Sequence, residues 1–295
     1  LRCRDAGINF FDCANTYAGG RSEEILGRLI SGHRSEVILT SKVYFPTGDD
    51  LNARGASRRN IMNAIEASLR RLNTDHLDVY FIHRFDDNTP LPETLRALDD
   101  LVRQGKILYP AASNFAAWQV EKALGLCDRS GWARFECLQP MYNLVKRQAE
   151  VEILPMAKAE NLGVISYSPL GGGLLTGKYA PGQRPESGRL VENKMYMTRY
   201  GEEWVYDVAG RFTQFAQQNG FEPAALAVAW VMTHPAITAP IIGARNLKQL
   251  EGSLKSVDIP MTPELRQQVS ALSPEPAPAT DRNEERTEFQ YMVKK

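Results

Sequence analysis

Short apolar runs alternate along this chain with longer stretches of helical periodicity, and that alternation limits the fold more than any other feature. The runs are INFFD (8–12), VILTS (37–41), LDVYFIH (77–83), KILYPAAS (106–113), FECLQP (135–140), GVISYSP (163–169) and APIIGA (239–244). Helical patterns fill the intervals at 22–30, 57–72, 92–104, 116–127, 148–160, 205–219 and 246–254. The clearest is 57–72, where Ile61, Ile65, Leu69 and Leu72 form one apolar stripe opposite an arginine-rich face and Ser57 stands as N-cap. Glu222-Pro223 before ALAVAWVM marks another helix start. Strands that are apolar nearly throughout, each followed by a helix, point to a parallel sheet covered on both faces.

The strand ends carry the chemistry. Asp12, Lys42, His83, Ser113-Asn114, Gln139, Ser168 and Gly243-Ala244-Arg245 all stand at or just past the carboxyl end of a run. A (β/α)₈ barrel gathers those ends on one rim, where its active sites lie. A doubly wound sheet is the alternative, but it gathers ligands at a Gly-rich turn after its first strand. No G-x-G-x-x-G occurs here, so the α/β class predicted is the TIM barrel. Seven runs are found where a closed barrel has eight strands. Leu1 opens what reads as the end of a helix, which places the eighth strand ahead of it.

Lysine plus arginine and aspartate plus glutamate number 35 each, which argues against a broad electrostatic footprint for nucleic acid or an anionic membrane. No apolar run approaches the ~20 residues of a spanning helix. Cys3, Cys13, Cys127 and Cys137 show no C-x-x-C pairing, and the chain has only four histidines, so no metal-ligand cluster is predicted. Reduced thiols and a cytoplasmic location are the expectation.

Asp12, Tyr17, Lys42 and His83 come from three different strand ends. A phenol, with a pKa near ~10, is a poor proton donor at neutral pH. A neighbouring ammonium stabilises the phenolate, and an aspartate paired with that lysine holds it charged and in place. A neutral histidine can hydrogen-bond a substrate oxygen. Together such groups deliver a proton to the oxygen of a carbonyl being reduced. Singly, each also has a structural reading: a loop-capping aspartate, a solvated tyrosine, a strand-end lysine, a core histidine.

The order of motifs carries a resemblance. GINFFDCANTYAGGRSEEILG (7–27), LTSK (39–42), DVYFIHRFD (78–86), ASNF (112–115), LQPMYN (138–143), SYSPLGGGLLTGKY (166–179) and IIGARNLKQLE (241–251) resemble the successive motifs of the aldo-keto reductases. Within that superfamily the chain looks most like bacterial reductases related to potassium-channel beta subunits. The resemblance implies a barrel over 1–272, with a cofactor-clamping loop at about 170–201 and a C-terminal extension at 273–295. It implies NADPH as cofactor, no metal, a small-molecule carbonyl substrate, and the catalytic set Asp12, Tyr17, Lys42 and His83. It assigns Ser113, Asn114 and Gln139 to the carboxamide and Tyr167 to the nicotinamide ring. Ser168, Leu170, Gly173, Gly177 and Lys178 fall to the pyrophosphate loop. Gly243, Arg245 and Gln249 fall in the segment around the adenosine 2′-phosphate, where an arginine favours NADPH over NADH. Tyr44, Phe45 and Phe85 follow catalytic strand ends and are candidates for an apolar substrate wall, as is Trp204 on the helix after the long loop.

Departures from the pattern are Cys13 where threonine is usual, Pro110 and Ala111 where isoleucine and glycine are usual, and Ser253 in place of an adenine-binding asparagine. A proline removes a donor from a strand ladder, so Pro110 predicts local distortion. Family members also carry a β-hairpin and a first barrel strand ahead of GINFFD, so the N-terminal hairpin and first strand are expected to be missing from this sequence. Other identities weighed are an aldolase-type barrel with Lys42 as Schiff base, an NADPH-binding regulatory subunit, and an inactive partial barrel. Channel subunits resembling this chain tend to have asparagine in place of His83, which separates that reading from a working reductase.

Overall fold

The computed structural model describes residues 2–287. The backbone forms two compact units, the first ending at Pro140 and the second beginning at Met141.

The first unit holds β1 (Phe10–Phe11), β2 (Ile38–Val43), β3 (Leu77–Ile82), β4 (Ile107–Ser113) and β5 (Cys137–Gln139). They pair in sequence order and all in parallel, with Phe10 opposite Ile38, Lys42 opposite Phe81, Phe81 opposite Ala111 and Ser113 opposite Gln139. The intervening helices are Arg21–Ile30, Arg58–Leu72, Leu91–Arg103 and Ala117–Ser130. Helix Arg58–Leu72 starts as the sequence predicts, Ser57 accepting from the Asn60 amide at 3.3 Å, and ends at Asn73 in the left-handed region. Its stripe of Ile61, Ile65, Leu69 and Leu72 is buried. Leu39, Val43, Tyr80, Phe81, Ile82 and Ile107 fill the core beneath the strand ends.

In the second unit β6 (Gly163–Ser166) and β7 (Ala239–Pro240) pair in parallel. The long helix Glu203–Gln218 and the apolar helix Pro223–Met232 lie between them in sequence, and residues 225–231 of the latter are buried throughout. Tyr142 stacks on Trp230 with ring centres 5.1 Å apart. Parallel strands paired in sequence order, with a helix after each, are the build of the (β/α)₈ class predicted from the sequence.

Several details differ from expectation. The 170–201 segment is not an open loop: it contains a tight turn at Gly171–Thr176 and the short helices Arg189–Glu192 and Lys194–Arg199. The pattern at 148–160 resolves into a 3₁₀ turn, Gln148–Glu150, and a helix, Ile153–Ala159. Helix Pro263–Ser270, capped by Thr262, was not among the predicted elements. β7 is two residues rather than the six predicted. Pro110 does not distort β4: it pairs opposite Tyr80, and its carbonyl accepts from the Glu136 amide at 3.0 Å. In a parallel ladder a residue's N–H and C=O face the same neighbour, so the donor Pro110 lacks would face residues just ahead of β5, where there is no ladder to interrupt. Leu1 and residues 288–295, the end of the predicted extension, lie outside the described residues.

Candidate active site

β2 presents alternate residues to one face, and Thr40 and Lys42 share the face that meets Asp12. Asp12 follows β1 directly. Lys42 is fully buried, and its ammonium donates to Asp12 Oδ1 at 2.7 Å, to Asp12 Oδ2 at 2.6 Å and to the Cys13 carbonyl at 2.7 Å. Thr40 Oγ1 and Gln139 Nε2 each donate to Asp12 Oδ1 at 2.9 Å. Burial of this ion pair is made tolerable by that full set of partners.

Tyr17 stands in the turn Tyr17–Gly20 with 38% of its surface exposed, and Lys42 Nζ lies 5.2 Å from the centre of its ring. His83 follows β3; its ring meets the Tyr17 ring edge-on, with centres 5.8 Å apart. Burial first, and the Lys42 charge second, push the His83 imidazole down to about 3. It is therefore neutral across the working range of a neutral-pH enzyme. Its Nδ1 is buried with no partner. Phe45 packs edge-on against it at 4.8 Å, and Tyr44 against Phe45 at 5.3 Å.

The structure thus brings Asp12, Tyr17, Lys42, His83 and Phe45 into one group. Phe85, by contrast, packs with Phe115 at 5.2 Å and with Trp118 at 6.0 Å. Trp204 donates to Glu202 at 2.5 Å. The residues assigned to the carboxamide form a linked chain of their own. Ser113 Oγ donates to the Gln139 carbonyl at 2.9 Å, and Asn114 Nδ2 donates to Ser113 Oγ at 3.0 Å and to the His83 carbonyl at 2.9 Å. Asn114 holds a left-handed φ of 56°, a conformation Asn tolerates better than most residues. Cys13 is buried, its thiol pushed up to about 11 mainly by burial, and so is inert. The sequence reading missed Thr40, although its i, i+2 relation to Lys42 placed it on the same face, and the Cys13 carbonyl, which no sequence signal marks.

In the second unit Tyr167 and Ser168 follow β6. Gly171, Gly172, Gly173 and Gly177 have φ of 58°, 70°, 110° and 83°, a left-handed run that glycine adopts without strain. Asn143, fully buried, fastens the start of this loop by donating to the Ser168 carbonyl at 2.9 Å and to Tyr200 Oη at 3.2 Å. Lys178 is exposed. Arg245 and Gln249 flank the start of helix Leu247–Leu254: the Arg245 amide donates to Gln249 Oε1 at 3.0 Å, and Asn246 caps the helix. An exposed guanidinium beside a helix N-terminus suits a phosphate. Gly243 is exposed just ahead of it. Ser253 is buried and its hydroxyl has no partner.

Among the described residues, no group of three or more His, Cys, Asp or Glu side chains is placed to hold a metal ion. Nor is any helix there long and apolar enough to cross a membrane.

Residues 2–273 match the Aldo/keto reductase family. A probable voltage-gated potassium channel subunit beta from Arabidopsis thaliana is 36% identical over 87% of this chain and 80% of its own length. The oxidoreductase YrpG of Bacillus subtilis, described as uncharacterized, is 35% identical over 94% of this chain and 86% of its own. The versiconal hemiacetal acetate reductase of Aspergillus parasiticus is 32% identical over 88% and 80% respectively. With the match running through every strand described above, the chain belongs to the aldo/keto reductase family.

Proposed function

We propose that the chain is an NADPH-dependent oxidoreductase that reduces an aldehyde or ketone to an alcohol, with Tyr17 as proton donor. The observation that carries this reading is the Lys42 ammonium, clamped by both oxygens of Asp12 and the Cys13 carbonyl, 5.2 Å from the Tyr17 ring. NADPH, when bound, supplies hydride for the carbonyl carbon. Two features support a fit to that cofactor. The Gly171–Gly173 run would bring backbone amides close to a pyrophosphate, and the Arg245 guanidinium beside a helix start matches a 2′-phosphate. Ser113, Asn114 and Gln139 would hold the carboxamide, Gln139 through Oε1 because its Nε2 is committed to Asp12. Tyr167, Ser168, Leu170, Gly173, Gly177, Lys178, Gly243 and Gln249 complete the assignment.

The chain's own part is proton delivery. His83, neutral, hydrogen-bonds the substrate oxygen and orients the carbonyl. Tyr17 gives its hydroxyl proton to that oxygen, and the phenolate left behind is stabilised by the Lys42 charge. Asp12 balances the Lys42 charge and fixes its direction. Phe45, edge-on against His83, gives an apolar side to the place where the carbonyl would sit. The Asp12 pairing also disfavours Lys42 as a Schiff-base nucleophile, which must shed its proton.

A second reading, an NADPH-binding regulatory subunit, draws on the relatives named as channel beta subunits. The test is NADPH consumption with a panel of aliphatic and aromatic aldehydes and ketones, run beside NADPH titration of tryptophan fluorescence. Turnover with saturable binding supports the reductase. Binding without turnover on any carbonyl favours the regulatory subunit.

A further inference from the structure

Helix Arg21–Ile30 begins directly after the turn that carries Tyr17, and Glu23 in its first turn has no exposed surface. Its carboxylate is bound on both sides. Oε1 accepts from Ser41 Oγ at 2.5 Å, while Oε2 accepts from Arg71 Nε at 2.7 Å, with a second guanidinium nitrogen also at 2.7 Å. Ser41 is the residue before Lys42 on β2 and projects to the opposite face of the strand. Arg71 comes from the last turn of helix Arg58–Leu72.

The turn itself leans on this pair. Gly20 closes it with φ of 93°, and a Cβ built on Gly20 would stand 3.0 Å from Arg71 Cδ. The turn bearing the phenol, the strand bearing the ammonium and the helix behind them therefore meet at one carboxylate. A buried ion pair contributes little net stability compared with a well-packed apolar cluster, but its directional bonds fix relative placement. Placement is what the phenol and the ammonium need, because a misplacement of about 1 Å costs up to ~100-fold in rate.

We propose that Glu23 is a positioning residue that, through Ser41 and Arg71, holds the Tyr17 turn at its distance from Lys42. The proposal rests on Tyr17 as the proton donor of the reductase reading. Glu23 touches neither substrate nor reacting atoms; it acts through the elements it ties together.

The test is the ionisation of Tyr17 in the cofactor-free protein, read from phenolate absorbance as the difference between each protein and its Tyr17→Phe counterpart. The sign separates the two ways Glu23 can act. Removing its negative charge with no movement favours the phenolate and lowers the Tyr17 pKa. Letting the turn drift from Lys42 removes the ammonium's help and raises it. In Glu23→Gln the titration is expected to rise by about one unit or more. A titration that stays put or falls overturns the proposal. Should Glu23→Gln lack a cooperative unfolding transition, Ser41→Ala, which removes one donor from the same carboxylate, is judged by the same sign. Turnover is measured alongside: kcat in Glu23→Gln is expected to fall about 10–100-fold, with KM for NADPH within about twofold. A wild-type protein without carbonyl turnover fails the reductase reading. A wild type that turns over, with a titration unmoved in Glu23→Gln, fails the positioning role alone.

Discussion

The Lys42 ammonium, itself fully buried, donates to both oxygens of Asp12, at 2.7 and 2.6 Å, and lies 5.2 Å from the ring centre of the partly exposed Tyr17. One charge therefore serves two purposes: it balances a carboxylate and biases a phenol. The two can be separated by mutation.

On the proposed mechanism, Tyr17→Phe removes the proton donor and leaves the Asp12–Lys42 ion pair untouched. Turnover is expected to drop by about 10²–10⁴-fold, with NADPH affinity within about twofold and stability within about 0.5 kcal/mol, as for an exposed position. Lys42→Met should lose as much turnover and also about 3–5 kcal/mol of stability, because Asp12 is left buried without its counter-charge. Steady-state kinetics and denaturant melts of the two variants give the comparison. Equal loss of NADPH binding in Tyr17→Phe would remove the proton-donor role.

The pH dependence of stability follows from His83. Its folded pKa, about 3, is depressed from 6.5, so between those values the unfolded chain binds a proton that the folded protein does not. Stability should then be fully present above about pH 6.5 and fall as pH drops toward 3. The contribution is on the order of a few kcal/mol. His83→Asn should flatten part of that slope in urea melts taken from pH 7 to 4. His234, pushed down to about 4 by burial and by Arg266, adds a slope of the same sign that the variant retains. An unchanged slope in His83→Asn would mean that the imidazole is not held neutral by the fold.

The seven strand positions, and the polar residues that end three of them, were readable in the sequence because a strand end imposes a local signature: apolar residues stop where a polar one must surface. Asp12, Lys42 and His83 each sit at such a stop. What was less legible has identifiable causes. The helices at Arg189–Glu192 and Lys194–Arg199 are too short to show a period, and the glycines before them read as loop. Helix Pro263–Ser270 did announce itself, with Thr262 as cap and Pro263 at the first helical position, but its apolar stripe is thin and only Val269 is buried. Phe85 and Phe45 look alike in sequence, each just past the end of a strand that carries a polar residue of the candidate site. Only the three-dimensional path of the chain sends one to His83 and the other to Phe115 and Trp118. Glu23 and Gly27, near the end of the motif GINFFDCANTYAGGRSEEILG, look like ordinary helix residues in sequence; the fold buries Glu23 and brings Gly27 against the Leu72 backbone.

That approach sets a stability prediction. A Cβ on Gly27 would stand 2.5 Å from the Leu72 carbonyl oxygen, a backbone atom that cannot swing aside. Gly27→Ala is expected to cost about 1–3 kcal/mol or more by forcing two helices apart. Gly125, inside helix Ala117–Ser130, has nothing within 4 Å of its built Cβ. Gly125→Ala should instead stabilise by about 0.5–1 kcal/mol through helix propensity. Denaturant melts of both variants test the pair. A neutral Gly27→Ala would show that the helices pack less closely than the backbone positions require.

Cofactor preference is the remaining test of the site in the second unit. Arg245 is exposed, and its backbone amide is tied to Gln249 at the start of helix Leu247–Leu254, so loop and helix N-terminus are fixed with respect to each other. On the proposed reading a 2′-phosphate there would gain a charge-assisted pair with the guanidinium, which NADH cannot form. Hydrogen bonds to charged groups contribute about 1.5–3 kcal/mol, so Arg245→Ala should weaken NADPH by about 10–100-fold and leave NADH nearly unchanged. Because the pair is charged, the wild-type advantage of NADPH over NADH should also shrink as salt rises, while the variant's small preference should not. Fluorescence titrations of both cofactors at two ionic strengths measure all four quantities. If NADH binds the wild-type protein as tightly as NADPH, Arg245 does not read the phosphate, and the enzyme draws its hydride from either cofactor.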